Sequence, residues 1–138
     1  MSMSYKNADD CLNDKLRTPA TPYLQLHTGN PGAEGTANIA QKPSSGGAIV
    51  RKSISFAAPT SHPSNTERRV LSSGAVSWSG TEIDAGQQIT HFSIWSASTA
   101  GQPEFISTVS QPKTTGSDGV TIASGDIEVA IGVFAKPA

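Results

Sequence analysis

The chain has 138 residues, a formal net charge of −1 and only 15% charged residues, against a usual charged share of about 25%. That length fits a single domain, residues 1–138, able to bury about two thirds of the surface its unfolded chain exposes. The near-neutral balance, with Arg51-Lys52 and Arg68-Arg69 as the basic doublets, gives no field for gathering phosphates and argues against direct nucleic-acid binding.

Residues 1–21 read as a helical arm. Over residues 4–17, Tyr5, Ala8, Leu12 and Leu16 recur at three- and four-residue steps, with Cys11 beside the stripe. Ser4 or Asn7 can cap the start, Asp9 and Asp10 are expected in the first turn, Lys15 and Arg17 in the last, and Pro19 stops the helix. A helix this short with one narrow apolar stripe is marginal alone and must dock on something. Met1 to Ala8 holds no apolar run of signal-peptide length, and no stretch of about 18 apolar residues suggests a membrane span. Cys11 is the one cysteine, so an intrachain disulfide, a CxxC pair and a Cys-rich zinc site are excluded.

Residues 22–138 read as a β domain. Tyr23 to Thr28 alternates, with Leu24 and Leu26 on one side, and ends at the turn Gly29-Asn30-Pro31-Gly32. The stretch from there to Gly47 is rich in Gly, Ala, Ser and Pro without periodicity, a long loop or arm of the kind that usually has a job. Further strands are expected at 48–56 (Val50, Ile54 and Phe56 in phase), 74–79, 89–96, 104–110, 120–123 and 126–134, where Ile127, Val129, Ile131 and Val133 alternate. Turn chemistry separates them at 59–65, 84–86, 99–101 and 117–119. About seven short strands without intervening helices predict an all-β fold: an antiparallel, jelly-roll-like β-sandwich with a short N-terminal α-helix and a long Gly/Pro-rich loop.

Ile89 to Trp95 carries the most information. Ile89, His91 and Trp95 form one alternating set and Phe92 and Ile94 the other, so neither face of this strand suits bulk water. One face can fill the core, and the other needs a second cover, either the chain's own N-terminus or a neighbouring subunit.

Candidate chemistry is sparse. His27, His62 and His91 are the histidines, and none has a His, Cys or carboxylate at i+2 or i+4 in a ligand arrangement, so no metal or cofactor is expected unless the fold assembles one. The G-x-S-x-G elbow is absent. Asp84, Asp118, Asp126 and Glu128 could supply the carboxylate pair of a glycan-cleaving enzyme, but the three aspartates read as turn residues and Glu128 as an outward strand residue. Trp78 and Trp95 could stack sugars, although aromatics on separate strands more often anchor a core or an interface. The expectation is a protein without enzymatic activity.

Three stretches carry a family resemblance: Tyr23-Leu24-Gln25-Leu26-His27-Thr28-Gly29-Asn30-Pro31-Gly32 with Gly35 and Asn38; Arg51 to Phe56; and Thr90 to Ala97, continued by Gly101, Pro112-Lys113-Thr114 and the closing strand. On these the chain resembles small structural proteins of tailed bacteriophages described as minor capsid, head-decoration or tail-fibre proteins, departing from them at 66–73 and 80–88. The resemblance implies a β-sandwich virion protein with no catalytic residues. From it follows the expectation of a decoration or cement protein, made in the host cytoplasm, that binds the major capsid protein on the capsid surface and self-associates, a trimer being one form. The alternative is a tail-fibre or tail-tip module that recognises host glycans. Tyr5, Leu12, Leu16, Asn30, Pro31, His91 and Trp95 are the candidate contact residues.

Overall fold

Ser4 holds an extended backbone and its hydroxyl accepts the Asn7 N–H, so Ser4 caps helix α1, Tyr5–Leu16. Asp9 and Asp10 therefore lie in the second turn rather than the first, and only Lys15 meets the dipole at the far end. The computed structural model, which describes residues 3–64 and 66–134, continues with β1 Tyr23–His27, β2 Lys52–Ser53, β3 Ser55–Phe56, β4 Thr60–Ser61, β5 Glu67–Ser73, β6 Val76–Trp78, β7 Gln88–Trp95, β8 Pro103–Thr114, β9 Val120–Ile122 and β10 Glu128–Gly132. One sheet runs β2-β1-β7-β8, a second runs β10-β5-β3 with β4 also paired to β5, and β6 and β9 form a ribbon. These pairings are antiparallel, and the expected β-sandwich with one short helix is what forms.

Two elements differ from expectation for clear reasons. Residues 52–56 split between the layers: β2 pairs with β1, then Ile54 donates to the Pro22 carbonyl and β3 pairs with β5. Ile54 and Phe56 are buried as their phase predicted, whereas Val50 is exposed. The central strand of the second sheet, β5, went unforeseen because Glu67-Arg68-Arg69 breaks any apolar alternation. Its cations are neutralised within the fold: Arg68 forks onto Asp9 (2.7 and 2.9 Å) and reaches Ser61 Oγ (2.7 Å), while Arg69 pairs with Glu128 (2.9 Å). The half-buried Arg68 pair ties α1 to the sheet.

Ala8, Leu12 and Leu16 are buried, and α1 packs on β5 and β10. The helix therefore does not cover His91 or Trp95, and its stripe joins Leu24, Leu26, Phe92, Ile94 and Val129 in one core. Each such side chain contributes about 1.5–3 kcal/mol on burial.

The second cover for β7 comes from the chain's own Gly-rich arm. β1 and β7 pair from Tyr23↔Trp95 to His27↔His91, which sets Leu24, Leu26, Phe92 and Ile94 on the core face and Gln25, His27, Ser93 and Trp95 on the other. Residues 38–40 run along the part of β1 that β2 leaves unpaired, Ala40 N–H donating to Leu26 O and Thr28 N–H to Asn38 O, while Gln25 Nε2 donates to Ile49 O. Gly35, in the left-handed region at φ +68, brings bare backbone against Trp95 Cζ2, where an added Cβ would sit 3.0 Å away. The Arg51 guanidinium lies 3.5 Å from the indole centroid.

Beneath this cover the hydrogen bonds have a single direction. The Ala37 carbonyl can only accept, so His27 Nδ1 carries the proton and donates to it (2.8 Å). His27 Nε2 must then accept from Ser93 Oγ (2.8 Å), which accepts in turn from Trp95 Nε1 (2.7 Å). A second proton on His27 would make Ser93 Oγ accept from both nitrogens and leave its own buried proton without the His27 acceptor. Burial drives the His27 pKa below its ordinary 6.5, the Ala37 bond opposing this and nearby His91 adding to it.

The sign of the pH effect follows. Above pH 6.5 both folded and unfolded chains hold His27 neutral; below it the unfolded chain takes up the proton first, so stability falls as the pH drops. A loss of stability is therefore expected from this residue as the pH falls below 6.5, at most about 1.4 kcal/mol per pH unit, seen in urea midpoints, and His27→Gln removes that slope. Parallel slopes in the two proteins would refute the assignment. At the β9 turn, a Cβ on Gly119 (φ +93) would run into the Trp78 carbonyl oxygen. Gly119→Ala should therefore cost at least about 2 kcal/mol by denaturant titration, and Gly86→Ala, with open space around it, distinctly less.

Candidate functional site

The seven candidate contact residues separate on folding. Leu12, Leu16, Pro31 and Trp95 lie inside the chain, with Trp95 only 3% exposed, which corrects their reading as partner contacts. Their apolar surface is used in α1 docking, in the arm and under Arg51. His91 is half-buried beside Thr90 Oγ1 at 2.8 Å. Asn30 is exposed but serves its own loop, its side-chain oxygen accepting from Gly32 N and its carbonyl from Asn38 Nδ2. Tyr5 remains exposed, with the Arg68 guanidinium 5.8 Å from its ring.

An apolar end of the molecule surrounds Tyr5. Met3 bridges Val133 in parallel and its carbonyl accepts from Phe134 N, so the two termini of the described chain lie side by side. Met3, Tyr5 and Phe134 are all exposed there, Phe134 by 71%. Single exposed apolar residues are ordinary, but three of the four large exposed ones among the described residues lie on segments that the Met3–Val133 bridge brings together.

The groups weighed for catalysis from the sequence take structural positions. Ser93 and His27 make a nucleophile-like contact, but both are 0% exposed and the third position is a carbonyl rather than a carboxylate. Asp126 caps Ala123 N and pairs with Lys113, and Asp84 accepts from Ala85 N, as turn residues do. Neither tryptophan offers a stacking platform: Trp78 is 1% exposed, donates to Val50 O and has Lys52 Nζ 5.7 Å from its ring.

Glu128 points outward from β10, as its alternation with the buried Ile127 and Val129 predicts, but it is half-buried against Arg69 and 3.8 Å from His62 Nε2. The fold also assembles a ligand grouping that spacing does not contain, since His62, Glu67 and Glu128 bring one ligand atom each within 4.8 Å of one another. A spacing rule could not find it because Glu128 comes from the last strand. Beside it, β8 and β10, the edge strands of the two sheets, diverge to leave a groove of about 420 Å³ lined by Glu67, Phe105, Ile106, Glu128, Ala130 and Gly132, among others.

Among the described residues no helix is long and apolar enough to cross a membrane. No curated protein matches the chain. A protein-family model does, that of the podophage GP4 fiber I protein gp80, over residues 3–130. That span takes in α1, both sheets and most of β10, so the chain belongs to this podophage fibre protein family and is a phage structural protein.

Proposed function

We propose that the protein is a non-enzymatic building block of a podophage tail fibre, joining the virion through its apolar end. The family match over residues 3–130 carries this reading. Of the two roles expected from the sequence, fibre and head decoration, the family's description favours the fibre. The fold supports an architectural part: its two tryptophans and its Ser–His contact are sealed, so glycan binding by this module would have to use other groups. What it offers outward is a polar sandwich with Met3, Tyr5 and Phe134 gathered at one end.

The partner at that end is a second copy of the chain. Fibres are built from repeated subunits, and a self-complementary apolar patch closes such an assembly without a large charge to repel copies. Modest contacts then gain strength from multiplicity.

Two measurements test this. Immunogold labelling and quantitative mass spectrometry of purified virions should find the protein in low copy number on the tail; hundreds of copies over the head would return the role to capsid decoration and binding of the major capsid protein. Light scattering on the isolated chain should show an oligomer at about 100 μM, a concentration suited to contacts worth about 5–6 kcal/mol. Phe134→Ser with Met3→Ser should shift it to monomer with an unchanged circular dichroism spectrum, and a monomeric wild type would rule out self-association through this patch.

A further inference from the structure

The cluster of His62, Glu67 and Glu128 has the makings of a metal site. His62 follows β4 and Glu67 opens β5, and the His62 N–H to Glu67 O bond (3.0 Å) closes the turn between them. Glu128 opens β10, the strand on the other side of β5. Residues 128, 130 and 132 of β10 alternate onto one face, and Ala130 and Gly132 pair with Arg69 and Glu67. These two small residues leave the face open, so that long side chains from three strands can meet above it.

The polar contacts around the cluster leave one donor atom available on each residue. Arg69 Nη1 holds Glu128 Oε2 at 2.9 Å, and Glu128 Oε1 instead faces His62 Nε2 at 3.8 Å. Glu67 makes no side-chain hydrogen bond or ion pair among the described residues. His62 Nδ1 lies 2.9 Å from Ser64 Oγ, itself 3.0 Å from Thr66 Oγ1. With the proton on Nδ1, donated to Ser64 Oγ, Nε2 is free to bind a cation; this replaces the 3.1 Å contact from Ser64 N to Nδ1. Two carboxylates against one guanidinium leave one net negative charge with His62 neutral. The 420 Å³ groove, lined in part by Glu67 and Glu128, is a separate feature that gives an ion entry and room for water ligands.

We propose that His62 Nε2, a Glu67 oxygen and Glu128 Oε1 bind a divalent transition-metal ion of the zinc class, with water from the groove completing the shell. One imidazole with two carboxylates suits zinc and its neighbours, whereas calcium and magnesium prefer all-oxygen shells. The ion ties the β4–β5 turn to the last strand and so stabilises the second sheet by mass action. This site stands apart from the fibre role and does not depend on it.

The test uses the full chain, stripped with a chelator and titrated with zinc alone, followed by calorimetry and thermal unfolding, and with cobalt alone, followed by visible absorption. One ion per chain, with a dissociation constant below about 100 μM, a rising unfolding temperature and cobalt d–d bands are expected. Glu67→Gln, whose carboxylate supports nothing else, and His62→Asn should each weaken binding about 10-fold or more, with Glu67→Gln keeping the metal-free unfolding temperature. No saturable binding by the wild type would overturn the site. So would variants that bind zinc as the wild type does.

Discussion

The pairing of β1 with β7 is the constraint on which the rest of this structure depends. It presents Leu24, Leu26, Phe92 and Ile94 to the core and Gln25, His27, Ser93 and Trp95 to the opposite side, and every one of these is buried. A strand pair covered on both faces must draw two layers onto itself. The second sheet and α1 form one, and the arm between residues 29 and 51 forms the other. Because the arm's cover meets polar side chains, directional bonds join the apolar contacts of Ala40 and Ile49 in holding it: Ala37 O on His27, Ile49 O on Gln25, and Arg51 over Trp95.

That arrangement changes what the molecule presents to its surroundings. Surface that a sequence reading assigns to partners, above all Trp95, is consumed internally, beneath a Gly-rich arm whose own outer side stays exposed. The exposed apolar surface is smaller and lies elsewhere, where Met3 runs beside Val133 and Phe134. Assembly through that end, as proposed, would set copies in a defined orientation.

Charge is handled by the same economy. The chain has few ionisable groups, yet Arg68–Asp9, Arg69–Glu128, Lys52–Glu82 and Lys113–Asp126 each join segments distant in sequence. Lys52 and the Ser79 N–H hold the Glu82 carboxyl below its usual range, and Lys52 also donates to Ser77 O, fastening β2 to the β6–β9 ribbon. Being half-buried, these pairs hold position more than they add net stability.

Much of the fold was legible in local pattern. The Ala8/Leu12/Leu16 stripe gave α1, the Tyr23–His27 and Ile89–Trp95 alternations gave β1 and β7, and the Gly and Asn signals gave the turns, because side-chain periodicity reports directly on which face is buried. The same pattern showed that β7 needed a cover on both sides and, with the family resemblance, pointed to a phage structural protein. It could not say what the cover was. That depended on where residues 29–51 returned, a choice made by contacts such as Gly35 on Trp95 between segments far apart in the chain. β5 was hidden because its arginines look solvated until Asp9 and Glu128 arrive from other elements, and the His62, Glu67 and Glu128 cluster exists only where three strands meet. Periodicity along one strand determines which side chains turn inward; only the packing of strands against one another decides which side chains they find there.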